Sequence, residues 1–85
     1  MHSLAKRLAP DGIRVNAVAP GPIWTPLVVS SFSPEQIEGW ASSKTLLKRA
    51  GHPCEVAPAY VFLASRDSSF CTGATLHVNG GQYMA

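Results

Sequence analysis

The sequence has little charge and few sulfur ligands, and it contains no long apolar run. Charged residues make up 14% of the 85 positions and leave a net charge of +2. The seven Lys and Arg are scattered, so no basic run forms a nucleic-acid or membrane-surface patch. The longest apolar stretches, such as residues 56–64, fall well short of the ~20 residues a membrane-spanning helix needs. Cys54 and Cys71 are too far apart for a CxxC redox or zinc half-site. Reduced thiols in a soluble, cytoplasmic protein are the expectation. His2, His52 and His77 are too dispersed to suggest a metal centre. No segment repeats, which argues against a solenoid.

What is present is a globular composition, 46% hydrophobic with seven Gly and seven Pro, at a length that allows one domain with a thin core. Leu4 and Leu8, four apart, suit one face of a helix over residues 1–9, which Pro10, Asp11 and Gly12 end. Residues 13–19 read as a strand. The alternation leaves apolar residues on both faces of its later half, as in a parallel sheet covered on both sides. Pro20, Pro22 and Pro26, with Gly21, break regular structure after it.

Ser33, Pro34 and Gln36 spell a helix start, with Ser33 as N-cap, Pro34 at the first helical position and Gln36 completing a capping box. A helix of one to three turns carrying Ile37 and Trp40 should follow, weakened by Gly39. A further, well-buried helix is expected over residues 54–65, with Pro58 tolerable only in its first turn. Thr75, Leu76, His77 and Val78 read as a short strand with Leu76 and Val78 on one face, ended by Asn79, Gly80 and Gly81. Two strands and about three helices do not cover strand 13–19. Poor cover of Ile13, Val15 and Val18 forfeits roughly 1.5 to 3 kcal/mol each, so the pattern implies further sheet partners.

Three ordered blocks, GIRVNAVAPGPIWTP (12–26), RAGHPCEVAPAYVFLAS (49–65) and TGATLHVNGG (72–81), resemble the C-terminal portion of the classical-type short-chain dehydrogenases/reductases. The resemblance covers essentially all 85 residues. It implies an α/β fold class, the C-terminal part of a doubly wound, parallel-sheet, Rossmann-like domain that is incomplete without the upstream sheet. Residues 1–26 would be a helix end, strand and cofactor loop, 27–50 the substrate loop, and 51–85 the last helix and strand. The implied activity is NAD(P)-dependent hydride transfer on an alcohol or carbonyl substrate, in a homo-oligomeric dimer or tetramer without nucleic-acid or membrane partners.

By that resemblance Pro20 and Gly21 border the nicotinamide of NAD or NADP, Ile23 bonds its carboxamide through backbone groups, and Thr25 offers its hydroxyl to carboxamide or diphosphate. Such a loop lies at the carboxyl edge of the sheet, where doubly wound folds bind ligands. Trp24 and Leu27 would touch substrate. Val28, Val29, Phe32, Trp40 and Leu46 are equally readable as pocket lining or core, and Asn16 as a residue securing backbone.

The family's tyrosine and the lysine four residues after it are absent: four positions after Tyr60 stands Ala64, and Tyr83 lies near the end. The resemblance places that pair upstream of Met1. Gly80 and Gly81 lack the GxGxxG spacing of a diphosphate turn. No catalytic residue is therefore expected among the 85, and the isolated chain is expected to be inactive. The alternative is a non-catalytic module that pairs with full-length relatives through the last helix and strand.

Overall fold

The structure, a computed structural model, describes residues 1–84, and for Leu27, Val28 and Val29 the backbone only. In chain order the regular elements are α1 (His2–Leu8), β1 (Ala17–Pro20), α2 (Pro26–Ser31), α3 (Pro34–Lys44), α4 (Pro53–Ala64) and β2 (Thr75–Val78). Short 3-10 turns at Ala9–Asp11 and Arg66–Ser68 follow α1 and α4. The two strands pair in parallel, with Ala17 opposite Thr75 and Pro20 opposite Val78. Helix α4 packs on both. The connection between the strands runs through three helices, as a parallel pair requires.

Strand β1 is shorter than the periodicity predicts and shifted toward the turn. Its anticipated first half, residues 13–16, lies outside the ladder and is tied down by one backbone bond, from the Gly73 N–H to Val15 O at 2.7 Å, and by side chains. The Val15 N–H donates to Thr72 Oγ1 at 3.1 Å, and Asn16 both donates from Nδ2 to Cys71 O at 3.0 Å and accepts the Ala74 N–H at 3.1 Å. Asn16 secures backbone, as its place beside the strand suggests. Pro20 closes β1 because the next rung needs only the Gly21 N–H, which donates to Val78 O at 3.0 Å.

Helix α3 begins as the sequence predicts. Ser33 Oγ accepts the Gln36 N–H at 3.2 Å, and Gln36 Oε1 accepts the Ser33 N–H at 2.9 Å, which satisfies two of the donors that a helix start leaves open. Its buried residues Ile37 and Ala41 form a small core with Ala50, against which the half-buried Trp24 packs. Helix α2 is an element the sequence reading lacks, lying where a loop is expected. In α1 the buried residue is Ala5, whereas Leu4 is exposed.

Two expectations for α4 are corrected. The helix starts at Pro53, so Pro58 is its sixth residue and lies beyond the first turn; its ring stands on the exposed side, clear of the strands. Nor is α4 well buried. A two-stranded sheet covers one stripe of a helix, here Val56 and Ala59, and leaves Tyr60, Val61 and Phe62 at 55%, 68% and 41% exposure.

The same thinness shows in the dimensions. The radius of gyration is 15.4 Å, against about 12 Å for a compact domain of this length. The accessible surface is 6098 Å², against about 4,900 Å² for a compact chain of this mass.

Candidate functional site

Because β1 and β2 run parallel, both deliver their following loops to one edge of the sheet. The loop after β1, residues 20–25, and the turn after β2, residues 79–83, meet there. A third segment joins them: Ile23 forms a parallel bridge with Gly51, in which the Gly51 N–H donates to Pro22 O and the Trp24 N–H to Gly51 O, each at 2.9 Å. The three segments border an open cleft of about 160 Å³ lined by Pro22, Ile23, Leu47, Arg49, Glu55 and Asn79 among others.

Gly21 is demanded by packing inside the chain. A Cβ at this position would lie 2.7 Å from Asn79 Cβ and 2.8 Å from Asn79 Cα, well inside van der Waals contact. Asn79 in turn organises the second turn, accepting the Gly81 N–H on Oδ1 and donating from Nδ2 to Tyr83 O, both at 3.0 Å. Gly80 and Gly81 adopt φ of 61° and 90° there, the left-handed region that costs other residues most. Their use is a tight turn, and the Leu47 N–H donates to Gly80 O at 3.0 Å to fasten it. The rings of His77 and Tyr83 meet at a tilt of 56°, their centroids 4.7 Å apart.

Of the residues singled out from the sequence, Pro20, Gly21, Ile23 and Thr25 all lie on this loop, with Pro20 exposed and the other three half-buried. Pro22, between them, is fully buried and anchors the loop. In a parallel bridge centred on Ile23 the neighbours' groups make both bonds, so the N–H and C=O of Ile23 itself point the other way. Neither has a partner among the described residues. The loop thus presents one backbone donor and one acceptor side by side.

Trp24 serves the core first, through Ile37, Ala41 and Ala50. Its other edge borders an open, polar cleft shared with Glu35, Glu38, Ser42, Arg49 and His52. The Leu27 side chain lies outside the described residues, as do those of Val28 and Val29. Phe32 and Trp40 line an apolar groove with Gln36 and Ile37, whereas Leu46 stands apart from it beside Gly81. Among the described residues no three His, Cys, Asp or Glu side chains gather as a metal site, and no helix is long and apolar enough to cross a membrane. Cys54 and Cys71 are free thiols.

Three charged residues escaped the sequence reading, Arg14 and the pair Arg49 and Glu55. Arg14 donates from Nη1 to Ser68 O, Ser68 Oγ and Cys71 O, and from Nη2 to Leu63 O and Ser65 O, at 2.9–3.2 Å. It caps the carboxyl end of α4 and ties the turn after it to the segment preceding β1. Arg49 and Glu55 form a two-pronged ion pair, 2.8 Å on each arm. The Arg49 side-chain bonds, joined by the His52 N–H, hold the Glu55 carboxyl well below its ordinary value, at about 2. The same bond, then the carboxylate charge, raises Arg49. Arg-x-Gly-x-Pro-x-Glu at residues 49–55, with a turn between opposite charges, is the signal that could have exposed this pair.

Comparison with known proteins gives a consistent result. The family model described as Enoyl-(Acyl carrier protein) reductase matches residues 1–83. NADPH-dependent aldehyde reductase 1, chloroplastic, of Arabidopsis thaliana is 60% identical over 81 residues, 94% of this chain and 28% of that protein. The crystal structure of 3-oxoacyl-[acyl-carrier protein] reductase from Brucella melitensis superposes with a TM-score of 0.84 at 46% identity, covering 99% of this chain and 31% of the other. A 4-hydroxyisoleucine dehydrogenase complexed with NADH superposes at 0.86 with 28% identity, over 95% of this chain and 33% of that one. The chain therefore spans about a third or less of the length of the relatives it matches.

Proposed function

The chain belongs to the short-chain dehydrogenase/reductase family, and on that premise we propose that it is the cofactor-wall and substrate-loop segment of an NAD(P)-dependent oxidoreductase acting on an alcohol/carbonyl pair. The fold is the corresponding part of a Rossmann-like, doubly wound sheet. The observation that carries the reading is the loop at residues 20–25. It lies at the carboxyl edge of a parallel sheet, where such folds bind ligands, and it turns the free N–H and C=O of Ile23 outward as a matched pair. A primary carboxamide, with one acceptor and two donors, fits that pair.

A bound nicotinamide would supply or accept the hydride. The residues of this chain bind and orient: Ile23 through its backbone, Thr25 through its hydroxyl, Pro20 and Gly21 by forming a flat wall, Trp24 and Leu27 on the substrate side. Proton transfer needs a tyrosine beside a lysine that favours its ionised form, and no Tyr-x-x-x-Lys occurs in these 85 residues. The isolated chain should therefore bind NADH and NADPH weakly and turn over nothing. The exposed Tyr60, Val61 and Phe62 of α4 support a dimer or tetramer in which another subunit covers them; the cytoplasm is the compartment we propose for it.

The test is a fluorescence titration of the native protein with NADH and NADPH, followed by alcohol or carbonyl substrates. Saturable binding of one cofactor with substrate-dependent turnover is expected. A native protein that binds neither, or an isolated 85-residue chain that turns over alone, would overturn the reading.

A further inference from the structure

Glu55 accepts three charge-assisted bonds, from Arg49 Nη1 and Nη2 at 2.8 Å and from the His52 N–H at 3.0 Å. These close a ring of residues 49–55 around Gly51, the residue to which both Pro22 and Trp24 are bonded at 2.9 Å. Gly51 sits tightly against the loop it holds: a Cβ there would lie 3.0 Å from Ile23 Cδ1 and in ordinary contact, 3.8 Å, with Glu55 Oε1. Its near end is fixed to the core, since the Arg49 N–H donates to Oγ1 of the buried Thr45, which itself donates to Ala41 O at 2.8 Å. Lys48, immediately before Arg49, is the one non-glycine residue with positive φ among those described, at 56°. That is a conformation held only where the surroundings over-determine it.

The side chains of Arg49 and Glu55 are 51% and 40% exposed, so water screens their attraction and the pair adds little to global stability. What a two-pronged guanidinium–carboxylate contact does supply is orientation. We propose that Arg49 and Glu55 are positioning residues for the cofactor loop: the ring they close sets Gly51, and Gly51 sets the direction in which the Ile23 N–H and C=O face. The inference rests on the cofactor reading for its purpose, but the mechanical claim stands without it.

Two variants separate the contributions. Arg49→Met removes the guanidinium and leaves the Glu55 cap on the start of α4; Glu55→Gln keeps an oxygen for the His52 N–H and removes the charge. In the native protein, amide exchange at Gly51 and Trp24 should speed up by about tenfold or more in Arg49→Met, as expected for a local opening, while the ladder amides of Ala17 and Gly21 keep their rates. Arg49→Lys, which retains charge without the fork, should recover only part of the protection. Affinity for NADH or NADPH should fall in parallel with the local opening.

Exchange at Gly51 and Trp24 that stays unchanged, or rises only in step with Ala17 and Gly21, overturns the proposal. Local opening with cofactor affinity intact overturns the link to the cofactor. If the wild-type protein binds neither nicotinamide, the cofactor reading fails, and the exchange contrast still decides whether the ring holds the loop.

Discussion

Replacing Gly21 with alanine tests the tightest joint of the molecule. Gly21 has no positive φ, so alanine suits its backbone and the cost arises from contact alone. The new methyl would sit 2.7 Å from Asn79 Cβ and 2.8 Å from Asn79 Cα, whereas carbon atoms settle at about 3.5–4.0 Å. One side must move by roughly 0.8 Å to restore ordinary contact. Neither moves freely: the Gly21 N–H is bonded to Val78 O, and the turn carrying Asn79 is fastened by Leu47 to Gly80 O and by Asn79 to Tyr83 O.

Overpacking of this kind costs about 1–3 kcal/mol. The smaller conformational freedom of alanine in the unfolded chain offsets about 0.4–1 kcal/mol of it. The expected net loss is about 1–2 kcal/mol, read as a lowered urea midpoint at unchanged slope, together with faster exchange of the residue 21 amide. Gly39→Ala is the control. It lies inside α3 with nothing within 4 Å of its Cβ position and should gain roughly 0.5–1 kcal/mol. Both are measured without cofactor. A Gly21→Ala protein as stable as its parent would refute the packing argument and return this glycine to a role in ligand approach alone.

Arg14→Ala strands the carbonyls at the end of α4 and should cost about 1.5–3 kcal/mol, the range for hydrogen bonds to a charged group, with Arg14→Lys recovering less than half; an unchanged urea midpoint would count against the cap. Pro58→Ala restores a donor to the interior of α4 and should raise stability by about 1–3 kcal/mol, because proline is that much worse than alanine within a helix; a loss in chemical denaturation would show that the proline relieves some other contact. The Glu55 carboxyl, lowered from an ordinary value near 4.5 to about 2 by Arg49 and the His52 N–H, binds its proton less readily folded than unfolded. Its contribution is therefore complete above about pH 4.5 and is lost as pH falls through about 2. Gly51 exchange, corrected for intrinsic rates, should stay flat down to the first value and rise toward the second.

Wherever local chemistry alone decides, the residues read directly. The capping box at Ser33, β2 at Thr75–Val78 and the proline-rich break after β1 follow from side-chain hydrogen bonding, alternation and the missing donors of proline, all properties of a few neighbouring residues. The break of regular structure at residues 20–25, at the edge of the sheet, was legible for the same reason. Residues 13–16 were misread because a β-branched run looks like ladder whether its bonds join backbone to backbone along a strand or, as here, pass largely through side chains, the Val15 N–H to Thr72 and the Ala74 N–H to Asn16. The extent of α4 burial was misread because apolar periodicity reports what a helix can bury, and a four-residue, two-stranded sheet offers cover for only one stripe.

By itself, then, the sequence determined the family, every element type except helix α2, and the loop that faces the sheet edge, since each rests on short-range patterns. Only the tertiary structure decided that Gly21 answers to Asn79, that Gly51 carries Ile23, and that Arg49 and Glu55 close around it. The first two contacts join residues tens of positions apart, brought within reach by two parallel strands ending at one edge; the third spans six residues, and it needs the turn at Gly51 to fold its two charges together.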